Sequence, residues 1–579
     1  MFLPTTSGEI QELGWDRPDI VLVSGDTYID SPQVGIAVIG RVLEAAGFRV
    51  AVIAQPETES DDIVRLGEPR LFWGVSGGCV DSLVANYTAT GKFRNQDDFT
   101  PGGVNNRRPD RACLAYTNLI RRHFPKTVPV VLGGIEASLR RVTHYDFIDR
   151  KIRNSILPDA KADYLLYGMA ERSVSELAIA LRDGKDPSEI RGLCRMSKEA
   201  PEGYLELPDA ASVKSDPACF EEMFQVFYRN TDPVTARGLV QKHGERYLVQ
   251  NPPSFYETTE ELDRIQALPF TRSVHPYYAA RGEVRALETI RFSIESHRGC
   301  YGECNFCAIA VHQGRTVRSR SEESILEEAR HLVAMKGFKG NIMDVGGPTA
   351  NMYGIECLKK IRSGMCRDKR CLFPEICDRM PMRHDVQLRL LKKLREIPGV
   401  KRVFIGSGIR YDIVMHDKEF GSAYIRELAA HHVSGQLKLA PEHLDPGVLD
   451  LMGKRDGNSL LSFRDAFLRE SAKSGKEQFL TYYFIAAHPG CGEPEMRELK
   501  KRVSLELQIR PEQVQIFTPT PSTWSTVMYW TGKNPWNGKP VFVEKDTARK
   551  EKQKAILTEK EEYFPMKLTG PGKDRRKSR

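Results

Sequence analysis

The sequence has no unbroken apolar run near the ~20 residues that cross a bilayer, which argues against a transmembrane helix and a membrane partner. Its first residues, MFLPTTSGEIQELGWD, contain neither a basic segment nor an apolar stretch of the secretory type, so a cytoplasmic, reducing location is expected. A strong charge bias is missing as well. The 85 Lys and Arg residues exceed the 77 Asp and Glu by only 8, and much of that excess lies in the final KDRRKSR at 573–579, which reads as a solvated tail. A tail of this kind is the only local support for RNA as a partner, and no dedicated RNA-binding module is evident.

What is present fits a soluble globular chain of 579 residues, long enough for two or three domains. Twelve cysteines in a reducing compartment do not suggest a disulfide framework; clustered thiols there bind metal or react. The isolated Cys79, Cys113, Cys194 and Cys219 read as packing residues.

The opening order is strand, helix, strand: DIVLVSGD (19–26), SPQVGIAVIGRVLEAAGF (31–48) and RVAVIAQ (49–55). Further strands are predicted at 71–77, 128–134 and 163–168, several ending in glycine, so residues 1–185 read as a doubly wound α/β domain. Periodicity weakens over 186–285, which reads as a connector packing between domains. Over 286–520 strand candidates recur at 289–295, 340–347, 372–377, 401–408, 435–441 and 478–490, separated by helical patterns. Six such repeats predict a partial (β/α)6-type barrel with its chemistry on the loops after the strands. Residues 521–579 are left as a C-terminal extension ending in a basic, disordered tail.

The stretch SHRGCYGECNFCAIA (296–310) follows the first predicted barrel strand and gathers Cys300, Cys304 and Cys307. Gly299 and Gly302 permit the backbone turns that let three sulfurs share a centre. Thiolates so placed bind zinc or an iron–sulfur cluster. Zinc would take a fourth ligand, with His297 and His312 nearest in sequence; a [4Fe–4S] cluster on three cysteines would leave one iron open.

The C-x3-C-x2-C spacing, with Phe306 before the last cysteine, resembles the signature of the radical S-adenosylmethionine (SAM) superfamily. More narrowly, 295–321, DVGGPTANMYG (344–354), FIGSGIRYD (404–412), LKLAPEH (437–443), FIAAHPGC (484–491) and 514–532 resemble the YgiQ-type, or UPF0313, proteins. The resemblance implies a [4Fe–4S] cluster on Cys300, Cys304 and Cys307 whose fourth iron takes the methionine part of SAM. It implies reductive cleavage of SAM to methionine and a 5′-deoxyadenosyl radical that removes hydrogen from a substrate. An external one-electron reductant of flavodoxin or ferredoxin type would feed the cluster. By the same analogy Gly346 and Gly347 belong to the segment that meets the SAM amino group, although Pro348 stands where many relatives carry an acid. Phe306 would lie near adenine, and Ser407 and Arg410 near ribose or carboxylate. Glu442, His443 and His488, at predicted strand ends, are candidates for substrate contact or proton movement.

Cys357, Cys366, Cys371 and Cys377 form a second group that suggests a possible further metal or cluster, although their spacing is irregular and Cys377 falls on a predicted strand. The first domain resembles the cobalamin-binding-like domains that precede many radical SAM barrels, but the D-x-H-x-x-G pattern is absent, so cobalamin has no support in the sequence. A methylthiotransferase-like enzyme acting on RNA and a non-enzymatic zinc or iron–sulfur scaffold or sensor are the alternative functions.

Overall fold

A computed structural model describes residues 1–367, 369–455 and 458–559. The segments IVLVS (Ile20–Ser24) and VAVIA (Val50–Ala54) are buried at every position, as expected of parallel strands covered on both faces. Five parallel strands lie in the spatial order Val50–Ala54, Ile20–Ser24, Phe72–Ser76, Val130–Gly133 and Tyr164–Leu166. Alternate side chains feed two cores: Val21, Val23, Trp73 and Val75 pack on one face, Ile20, Leu22, Val50 and Val52 on the other. This is the doubly wound arrangement predicted from the sequence.

The sheet does not end there. Leu193–Ser197, Arg246–Gln250, Leu239–His243 and Leu205–Leu207 extend it to nine strands, so residues 193–250, read above as connector, carry sheet. Their apolar periodicity is weak because these short strands lie in the extended margin, with exposed and half-exposed positions among the buried ones.

The second unit is a partial barrel of parallel ladders. Ser293–Glu295 pairs with Asp344–Gly346, and Asn341–Ile342 with Arg402–Val403. A bridge from Ile409 to Leu439 leads on to Gln436–Glu442, Phe479–Ala486 and Gln513–Ile516. Among the described residues no ladder joins the last strand back to the first. Residues 372–377, predicted as the third strand, form no strand; the sixth is Gln513–Ile516. In LFPEIC, Leu372 and Ile376 bury in a small separate cluster rather than alternating across a sheet. Ser407 and Arg410 therefore follow the third strand, Glu442 ends the fourth with His443 just after it, and His488 follows the fifth.

The two units are joined through polar and apolar contacts. Arg298 Nη1 bonds Glu171 Oε1 at 2.7 Å, and Gln33 Nε2 donates to the Ser293 carbonyl at 2.9 Å. The C-terminal part returns to both: Trp524, Val527 and Tyr529 sit in a core of the first unit and Leu557 in that of the barrel. The predicted basic tail at 573–579 lies outside the described residues.

Trp524 packs edge-on against Phe224 with ring centroids 4.7 Å apart, and against Tyr228 at 5.2 Å. Trp524→Ala is expected to cost ~3–5 kcal/mol, read as a lower denaturation midpoint. A variant as stable as the parent would show that the C-terminal helix does not brace the first unit.

Candidate functional site

The cysteine loop leaves the strand Ser293–Glu295 and is shaped by two glycines for different reasons. Gly299 has φ of 78°, in the left-handed region that side chains resist. Gly302 is needed for space: a Cβ there would stand 2.9 Å from Arg410 Nη1, 3.3 Å from Cys300 Sγ and 3.5 Å from Cys304 Sγ. The Gly302 N–H donates to Cys300 Sγ at 3.3 Å, and the Cys307 N–H donates to the Cys304 carbonyl at 3.0 Å. Cys300 and Cys304 thus converge on Gly302 past the carboxyl end of the first barrel strand, with Cys307 within electrostatic reach of both.

All three are free thiols. Burial pushes the Cys307 thiol up to about 12, with the neighbouring Cys304 adding to it. Burial likewise raises Cys300, against a hydrogen bond from Thr349, whose Oγ1 is 3.4 Å from the sulfur. Buried sulfurs that disfavour one another's charge become thiolates only with a cation to balance them. Arg410 supplies one positive group: its Nη1 is 3.8 Å from Cys304 Sγ, while Nε and Nη2 bond the Asp412 carboxylate at 3.0 and 2.5 Å. Burial opposes the Arg410 charge, but Asp412 and the two thiols outweigh it and raise its pKa.

Among the described residues no three His, Cys, Asp or Glu side chains close around a single ion. The candidate zinc histidines are directed elsewhere. His297 bonds Ser296 Oγ at 2.9 Å and the Thr349 carbonyl at 3.0 Å, and His312 Nδ1 lies 3.1 Å from Ser138 Oγ.

The other predicted residues divide into two sets. Phe306 packs against the cores of both units, its ring 6.2 Å from that of His488. Gly346 and Gly347 admit neighbours: a Cβ would meet Ser407 Oγ at 2.6 Å and His297 Nε2 at 2.7 Å, respectively. Ser407 Oγ donates to Asp344 Oδ2 at 2.7 Å, and Asp344 Oδ1 also accepts the Gly406 and Ser407 N–H groups at 2.8 and 3.2 Å. Glu442, at φ 67° beside a ladder irregularity, lies 3.5 Å from Lys454 Nζ and within electrostatic reach of Cys307. His443 and His488 are fully buried and engaged at both ring nitrogens. His443 Nδ1 accepts the Asp445 N–H at 3.0 Å and its Nε2 is 3.6 Å from Cys491 Sγ; His488 bonds the Pro489 carbonyl at 2.8 Å and Ser525 Oγ at 2.7 Å. Asp344, Thr349 and Asp412 were not singled out from the sequence, although Asp344 and Asp412 stand inside motifs quoted for their glycines, Ser407 and Arg410.

With this geometry in place, comparison with known proteins assigns the family. The family described as Radical SAM N-terminal matches residues 2–293, and a domain of unknown function, DUF3362, matches 512–565. A UPF0313 protein of Fusobacterium nucleatum is 56% identical, over 96% of this chain and 99% of its own length. One from Thermotoga maritima is 48% identical, over 96% and 98%. The chain belongs to the UPF0313 family of the radical SAM superfamily. A solved structure of TsrM from Kitasatospora setae, described as a radical SAM methyltransferase with cobalamin and a [4Fe–4S] cluster bound, aligns with 87% of this chain and 76% of its own at 16% identity and TM-score 0.49. That likeness is too distant to assign chemistry here.

The second cysteine group of this UPF0313 protein is only partly assembled. Cys357 and Cys371 bury with Tyr301 in one apolar cluster, and Cys377 and Cys300 pack against it. Cys366 is not among them; its sulfur is 3.1 Å from Lys359 Nζ. Cys377 lies in a loop, not on the strand predicted there. Next to this cluster Lys360 Nζ reaches Glu303 Oε1 at 3.3 Å, with Arg315 Nη1 at 3.7 Å from the same carboxylate. Burial opposes the Glu303 charge, but Arg315 and Lys360 hold its pKa below the usual range. These ion pairs fasten the underside of the cysteine loop.

Burial holds the pKa of His443 down to about 4 and that of His488 to about 3. A folded pKa below the unfolded value of about 6.5 means that the unfolded chain takes up protons first. Their contribution is present above about pH 6.5 and is lost as pH falls toward 4. The melting temperature should therefore drop from pH 7 to pH 5, and His488→Gln should flatten that slope. A slope unchanged in the variant would show that His488 does not titrate in this way.

Proposed function

We propose that this protein is a radical SAM iron–sulfur enzyme, with Cys300, Cys304 and Cys307 holding a [4Fe–4S] cluster. The observation that carries this reading is three free, half-buried thiols in one loop at the carboxyl edge of a parallel barrel, two of them converging on Gly302. When bound, cluster and SAM together supply reductive cleavage to methionine and a 5′-deoxyadenosyl radical, which abstracts hydrogen from a substrate.

The chain's own residues contribute placement and charge. Arg410, locked by Asp412, presents its free edge to Cys304 and balances negative charge on the sulfurs. Thr349 and the Gly302 N–H offer hydrogen bonds to Cys300, which favour its deprotonated form. Asp344 fixes the turn at Gly406 and Ser407 and so positions the loop after the third strand beside Gly346. Phe306, set between the two cores, excludes water from the side of the loop that faces the first unit. Glu442 is the predicted acid that remains half-exposed near Cys307, which makes it the candidate for meeting substrate; His443 and His488 serve the core.

Protein purified without oxygen should be brown, hold about four irons on this cluster, and release 5′-deoxyadenosine from SAM under a strong reductant. Cys304→Ala should lose both iron and cleavage. Cleavage retained in Cys304→Ala would contradict the assignment.

A further inference from the structure

A cavity of about 370 Å³ lies where the two units meet, within the size range of small-molecule sites. Its floor is the carboxyl edge of the first sheet, at Ser24, Asp26, Ser76 and Gly78. These residues end or follow the adjacent strands Ile20–Ser24 and Phe72–Ser76, the position at which strand order reverses and open parallel sheets accept ligands. Its ceiling is the cysteine-bearing segment, through Arg298, Ile309, His312 and Gln313. Between them the walls are mostly hydrocarbon, from Val34, Ile39, Phe72, Leu132, Leu166 and Val174.

One polar group in this lining is unspent. Glu171 is 5% exposed; its Oε1 accepts from Arg298, while Oε2 meets no hydrogen-bond partner from the protein. A buried acceptor without a donor is destabilising, and a ligand donor would remove that penalty. The lining carboxylates already face arginines: Asp26 faces Arg108 at 2.5 Å, and Glu171 and Glu295 face Arg298 at 2.7 and 3.2 Å. Each arginine is shared, Arg298 by these two glutamates and Arg108 by Asp26 and Asp97, so the vacant Oε2 is left to a hydrogen-bond donor, an N–H or O–H, from a ligand. Glu171 also opens the helix Glu171–Arg182, whose first turn has no side-chain cap.

We infer that this cavity is a ligand-binding chamber distinct from the cysteine site, and that it takes a small, largely apolar molecule that lies between the sheet edge and the helices Gly35–Ala45 and Glu171–Arg182 and whose N–H or O–H donates to Glu171 Oε2. The binding does not depend on the radical SAM reading. Binding is therefore measured on the full chain and on its Cys304→Ser variant, by calorimetry, with indole as the probe and benzofuran as the isostere without a donor. Indole should bind one per chain to both proteins, with benzofuran at least tenfold weaker, because a site built to accept a hydrogen bond rejects the analogue lacking it. Ala170→Leu and Ile39→Phe, each filling the lining, should weaken indole at least tenfold while the protein's melting transition stays cooperative. No saturable indole binding, equal affinity for benzofuran, or affinity unchanged in both filled variants would overturn the chamber. None of these results bears on cleavage of SAM, which the iron and deoxyadenosine measurements decide separately.

Discussion

Sulfur buried without a compensating cation is the constraint on which the site depends. Cys300 and Cys307 are pushed toward their neutral forms by burial and by the neighbouring thiols, and the Arg410 guanidinium stands 3.8 Å from Cys304. On the proposed reading, the iron–sulfur cluster supplies the positive charge that lets these thiols ionise together. The local fold is consistent with that use. Gly302 leaves out the side chain that would separate Arg410 from the sulfurs, and the ion pairs of Glu303 with Lys360 and Arg315 hold the loop from below.

The two units make one interface around this loop. Its far side closes the cavity over the first sheet, and Arg298, two residues before Cys300, reaches across to Glu171. The helix beginning at Trp524 completes the junction: Ser522 donates to the Leu139 carbonyl at 2.8 Å and Ser525 meets His488. Of the two histidines proposed from the sequence, His488 meets this helix through Ser525, while His443 is bonded within the barrel, and both are fully buried.

Much of this arrangement was legible in the sequence, where local pattern and physical role coincide. Continuous apolar runs such as IVLVS and VAVIA announced buried parallel strands, and the cysteine spacing with its glycines marked the loop. LFPEIC misled because its apolar residues bury in a loop cluster, while QVQI, with two exposed glutamines, is a true barrel strand. The sheet margin over 193–250 was missed because its short strands mix exposed and half-exposed positions with buried ones and so leave no strong periodicity. Gly346 and Gly347 were noticed for a ligand role, and the structure shows a close approach by Ser407 and His297. Polar partners such as Asp344 for Ser407 and Thr349 for Cys300 depend on contacts 63 and 49 residues apart, which spacing along the chain does not reveal.

The most direct test of the central claim is electron paramagnetic resonance of the anaerobic, dithionite-reduced protein before and after addition of SAM. The account predicts an S = 1/2 signal from a reduced [4Fe–4S] cluster, lost in Cys300→Ala, whose g values shift when SAM occupies the open iron. A cluster signal indifferent to SAM, or one that survives loss of Cys300, would contradict it.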